Sequence, residues 1–207
     1  MMFALKRLLI IVGILILGYA FWPRQPSLTR FDPDRMAGLQ VGIWRDAPSK
    51  KTHELLPPLY ELYEGQYHMP PISALKMAFE SAKALGIFHA APDAADQEKA
   101  LAPLQLVFIS LKNAVGASFD PAIAARLELT TWQLRTDRAR RAELTAAWSE
   151  KLGMLYGLPS GKMLPAAKHF AIAAKLAGES KWGDAEKSAG AAWTAVRELA
   201  PPAAGTP

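Results

Sequence analysis

The first strong pattern along the chain is a run with no polar position at all. Leu8 to Trp22 is uninterrupted apolar sequence, preceded by Lys6 and Arg7 and followed by Pro23-Arg24. At about 15 residues it is shorter than the ~20 that span a bilayer comfortably, but Phe3 and Ala4 extend it if the two basic side chains snorkel. Leu8, Ile11, Ile14 and Leu17 fill the run, and Tyr19, Phe21 and Trp22 make an interfacial belt at its end. Residues 1–23 therefore read as a transmembrane anchor. The alternative is a cleaved signal peptide, because Gly18 and Ala20 are small residues at a spacing that a signal peptidase tolerates. The basic N-terminus predicts a cytoplasmic N-terminus, a single pass and a domain on the far side of the inner (cytoplasmic) membrane, which in a Gram-negative cell is the periplasm.

After a proline-containing linker over residues 24–31, the pattern changes to helical spacing and keeps it to residue 199. Asp32-Pro33 opens a helix carrying Met36, Leu39, Ile43 and Trp44. Pro57 and Pro58 interrupt the next helical pattern, so a short second helix is expected to start near Pro58 and to end before Met69-Pro70-Pro71. From Pro71 a third places Ile72, Leu75, Met77, Phe79, Ala82 and Leu85 on one apolar face. A fourth has an acidic first turn and carries Leu101, Leu104, Val107, Phe108 and Leu111, with Pro103 as a break. Asp120-Pro121 repeats the opening signal for a fifth, with Ile123, Leu127, Thr130 or Thr131, and Leu134 along one face. Leu144, Trp148, Leu152 and Leu155 define the sixth, closed by Gly157. Two alanine-rich amphipathic segments separated by Gly178 then resemble one tetratricopeptide-like hairpin, with no second copy at that period. The expectation is an all-α bundle of about seven helices over residues 32–199 and a disordered tail over residues 200–207.

Composition narrows the chemistry. The formal charge of +5 includes the two N-terminal cations, and acidic and basic residues are otherwise interspersed, so there is no nucleic-acid footprint. With no cysteine, disulfides, thiolate catalysis and Cys-ligated metals are excluded. No phosphate-cradling glycine loop or nucleophile elbow is present. "HELLP" begins as a metalloprotease motif does, but Pro57 stands where the second histidine ligand is needed. No glutamate has a histidine three residues later, and His53, His68, His89 and His169 fall on separate segments. No catalytic residue, metal ligand or cofactor is assigned, and the chain is read as a non-enzyme.

The segment "YELYEGQYHMPP" gathers Tyr60, Tyr63 and Tyr67 near one edge of a helical wheel, beside Leu56 and Leu59. Glu61, Glu64 and His68 turn toward a neighbouring arc, Glu64 and His68 as a surface pair. Packing at the rim of the apolar face is the favoured reading. Tyr60, Tyr63 and Tyr67, with Arg138, Arg140 and Arg141 of "RTDRARR", are the candidate interaction surface. Glu128, one turn before Trp132, reads as a semi-buried carboxylate paired structurally with Arg126, Arg135 or another helix's arginine.

The order of the blocks "RMAGLQVGIWR", "ALKMAFESAKALGIF", "FDPAIAARLELTTW", "LYGLP" and "KWGDAEKSAGAAWTAVREL" resembles an uncharacterised family of bacterial membrane-anchored helical proteins. The resemblance implies a helical fold and an anchored topology and assigns no active site. It departs at Gln40, where a glutamate is expected. The expectation is a non-enzymatic accessory or scaffolding subunit, its partners the membrane and other subunits of a membrane complex. The alternative is a bundle binding a small hydrophobic ligand or cofactor among Tyr63, Phe79, Phe108 and Trp132.

Overall fold

Two Asp-Pro pairs start helices as the sequence predicts. Asp32 accepts from the backbone N–H groups of Asp34 and Arg35, and Asp120 from those of Ala122 and Ile123, while the proline occupies the first helical position, where a missing N–H costs nothing. The computed structural model describes Gly18, residues 24–49 and residues 51–200. The expected anchor residues Leu8, Ile11, Ile14, Leu17, Tyr19 and Trp22 lie outside the described residues, as does the tail beyond Ala200. No helix among the described residues is long and apolar enough to cross a membrane.

The described chain is all-helical, with eight helices joined by short turns. They are α1 (Pro33–Asp46), α2 (Leu56–Glu61), α3 (Pro71–Ala90), α4 (Leu101–Val115), α5 (Pro121–Thr136), α6 (Leu144–Tyr156), α7 (Leu164–Gly178) and α8 (Trp182–Leu199). Gly157 ends α6 in the left-handed conformation at φ 65°, as the sixth periodic segment predicts. α2 starts close to Pro58 as expected: Pro57 and Pro58 sit in its first turn, preceded by a 3-10 turn at Thr52–Leu55. Pro103 likewise lies in the first turn of α4. The acidic stretch before it is a separate single α-turn, Ala94–Gln97.

The core has two parts. One is built by α1, α6, α7 and α8 around Met36, Trp44, Trp148, Phe170 and Trp193; the other by α2 to α5 around Leu59, Tyr63, Met77, Phe108, Leu129 and Trp132. Alanines fill the contacts of the α7–α8 hairpin, and α8 also packs along α1. Glycines let α1 and α8 approach: a Cβ on Gly38 would stand 3.0 Å from Glu186 Oε1, and one on Gly190 would stand 3.1 Å from Asp34 Oδ1. The first and last helices of the domain are thus neighbours.

One expected face is wrong. Of the residues assigned to the apolar side of α3, Met77, Ala82 and Leu85 are buried, but Ile72, Leu75 and Phe79 are exposed. The core side is Ala74, Met77, Ala78, Ser81, Ala82, Leu85 and Phe88. Ile123 of α5 is exposed as well, and the buried face there runs through Ala124, Leu127, Thr131 and Leu134.

Candidate functional site

Between the two parts of the core lies a cavity of about 150 Å3. Its walls are mostly aliphatic, from Ile43, Leu59, Leu85, Leu104, Val107 and Leu111, and four tryptophans, Trp44, Trp132, Trp148 and Trp193, reach it. Tyr63, Tyr67 and Tyr156 complete the aromatic lining. Tyr63, Phe108 and Trp132 therefore meet as the ligand-pocket reading expects, whereas Phe79 points to the opposite side of α3.

The cavity carries one charged corner. Lys151 of α6 is 4% exposed, and its ammonium donates to Glu128 Oε2 at 2.8 Å while standing 3.4 Å above the centroid of the Trp148 ring. The other Glu128 oxygen accepts from Trp132 Nε1 at 2.7 Å. Glu128 is thus a paired carboxylate, but its partner is a lysine on the next helix and not Arg126 or Arg135. Burial pulls the Lys151 pKa below the usual lysine value, and the adjacent Glu128 charge opposes that fall. Arg126 pairs instead with Glu98 on the surface. Arg135 is held over the Trp44 ring, 5.1 Å from its centroid, and burial lowers its pKa to about 10.

Most other polar groups of the lining bond to the protein itself. Tyr63 and Ser81 share a hydroxyl hydrogen bond of 2.6 Å, and Tyr156 OH donates to Leu28 O at 3.0 Å. Burial raises the pKa of Tyr63, Tyr67 and Tyr156, so all three remain neutral phenols. Gln40 Oε1 accepts from Trp193 Nε1 at 2.7 Å, which fixes its amide orientation and leaves its NH2 group as a donor. An ammonium has three N–H donors; Glu128 takes one and the Trp148 face a second. Lys151 and Gln40 are lining side chains with donors to spare, and the buried Trp148 Nε1 also has no hydrogen-bond partner among the described residues.

The tyrosine segment is not a regular helix. Leu62–Gln66 is a π-turn, which inserts a residue into the register and swings Tyr63 and Tyr67 inward, their ring centroids 6.4 Å apart. Tyr60 is half-buried outside the cavity lining. Glu64 pairs with Arg24 at 2.5 Å rather than with His68, whose Nε2 bonds to Arg30 O at 2.7 Å; Glu61 pairs with Arg35.

The structure does not bring the tyrosines and the arginine cluster together. Arg138 is exposed at the α5–α6 junction, and Arg140 is held by Glu143 through bonds of 3.0 and 2.8 Å. Arg141 leans on the end of α7, its Nη2 3.2 Å from where a Gly178 Cβ would stand, and so complements the negative end of that helix. Among the described residues no group of three or more histidines, aspartates and glutamates could hold a metal ion.

Lys151 and Gln40 were missed as site residues by sequence reasoning, although a signal for Lys151 existed. Seven residues after Leu144, three after Trp148 and four before Leu155, it sits in the middle of an apolar stripe, where a lysine needs a partner. Comparison with protein-family models, with curated proteins and with solved structures finds no match, so the resemblance to a bacterial family gains no support there.

Proposed function

We propose that this chain is a non-enzymatic binding protein for a small, flat, largely apolar ring compound carrying a neutral hydrogen-bond acceptor. The observation that supports the reading is the cavity of about 150 Å3 with the Lys151–Glu128 pair in its wall. A dry cavity of about this volume admits a benzene-sized ring, and aromatic walls suit a flat guest. The spare donors on Lys151 and Gln40 call for an acceptor. Glu128 already neutralises Lys151, so a second anion beside it would be repelled, and a carbonyl or ether oxygen is favoured over a carboxylate. In this reading the apolar run over residues 8–22 tethers the domain to the cytoplasmic membrane on its periplasmic side.

The test is calorimetric titration of the purified full chain with three ligands of similar size: isopropylbenzene, acetophenone and benzoate. Acetophenone is expected to bind tightest and benzoate weakest, with tryptophan fluorescence changing on binding. Filling the cavity with Leu155→Trp should abolish the response. Binding of none of the three, or benzoate binding best, overturns the reading. The alternative, an accessory subunit of a membrane complex, draws on the same N-terminal run and on the exposed Arg138. It predicts a partner co-purifying from native membranes, where the ligand reading predicts a lone chain.

A further inference from the structure

The outer face of α3 presents Ile72, Leu75 and Phe79 to solvent at 58%, 55% and 55% exposure. At about 100° per residue these three and Lys76 fall within about 100° of the helix circumference, and Lys83 continues the stripe two turns on. The one acidic residue of α3, Glu80, has a carboxylate oxygen buried in the protein. The face is therefore apolar and cationic, the composition of a helix that lies at a lipid interface.

A second observation concerns where the chain enters the domain. Arg24 is bound to Glu64 at 2.5 Å, Ser27 N donates to Tyr67 O at 3.0 Å, and His68 bonds to Arg30 O. The residues that follow the apolar run Leu8–Trp22 are thus laid along the segment that leads into α3. Ile72 follows Tyr67 by five positions, about 17 Å even if fully extended. A membrane that receives the run at residues 8–22 lies within reach of the exposed stripe.

We propose that the outer face of α3 seats on a lipid bilayer, with Ile72, Leu75 and Phe79 entering the interface and Lys76 and Lys83 meeting anionic headgroups. The stripe would then fix the orientation of the domain relative to the membrane, which a single N-terminal tether cannot do.

The absence of cysteine makes the test direct. The full chain carrying Leu75→Cys, or Lys168→Cys on the exposed side of α7, is labelled with an environment-sensitive fluorophore and reconstituted into phosphatidylglycerol-containing vesicles with lipid-borne quenchers. Unchanged circular dichroism melts establish that both variants are folded. The label at position 75 should be quenched several-fold more than that at 168, and Ile72→Glu with Phe79→Glu should remove the difference. Equal quenching at the two positions overturns the proposal. So does protection of position 75 from lipid quenchers together with a cross-linked dimer, which would assign the face to a second copy.

Discussion

Lys151 Nζ lies 2.8 Å from Glu128 Oε2, and the two residues belong to the consecutive helices α5 and α6. The lysine side chain is 5% exposed and the glutamate 23%, so the pair is sealed more tightly on its cationic side. Losing the partner therefore harms the fold from either end, but unequally.

Lys151→Met should destabilise the domain by about 3 kcal/mol, because Glu128 keeps only its Trp132 bond in a poorly solvated place. Glu128→Leu in the same chain should recover part of that loss, with a coupling of about 1–3 kcal/mol between the two positions. Urea midpoints of the two single variants and the double variant measure it; strict additivity would show that the pair does not interact energetically.

Tyr63→Phe should leave the fold intact and cost about 1–2 kcal/mol, since it strands the buried Ser81 hydroxyl. Adding Ser81→Ala should return most of the cost. Chemical denaturation at constant m-value is the readout.

His89 gives the domain a pH dependence of predictable sign. Burial, with a contribution from the Arg135 charge, lowers its pKa to about 4 from an ordinary value of 6.5. Between these values the unfolded chain binds more protons than the folded one, so stability rises with pH through that window and is lost as the pH falls from about 6.5 toward 4. Melting temperatures of the parent and of His89→Phe, taken from pH 7 to pH 4, should diverge: the variant loses this part of the slope.

Gly153→Ala should cost more than about 2 kcal/mol through overpacking. A Cβ there would stand 2.8 Å from Leu158 O and 2.9 Å from Ser160 Cα, both backbone atoms of the turn that Ser149 clamps through a 2.5 Å bond to Ser160 O. Gly42→Ala, with nothing near its would-be Cβ, is the matched control and should be neutral or stabilising.

The helix starts were legible because their signals are local. An Asp-Pro pair caps its own helix whatever surrounds it, and a glycine that ends a helix does so by its own φ angle. The faces were less so. In α3 apolar residues occur all round the helix, so periodicity cannot choose between Leu75 and Met77, and the neighbours that do choose come from α2 and α4. The tyrosine segment defeats a helical wheel for another reason: the π-turn over Leu62–Gln66 breaks the assumed 100° step. The charged corner joins residues 23 apart through tertiary packing, and only the misplaced lysine in an apolar stripe announces it.

The contact between α1 and α8 also sets an order of events. Gln40 and Trp193 bond across 153 residues, so α8 supplies Trp193 to the cavity wall and also covers α1. Until α8 docks, α1 lacks the helix it packs against most, and the Trp193 side of the cavity stays open. Closure of this side of the core waits for α8 to dock on α1, a pairing far apart in the chain.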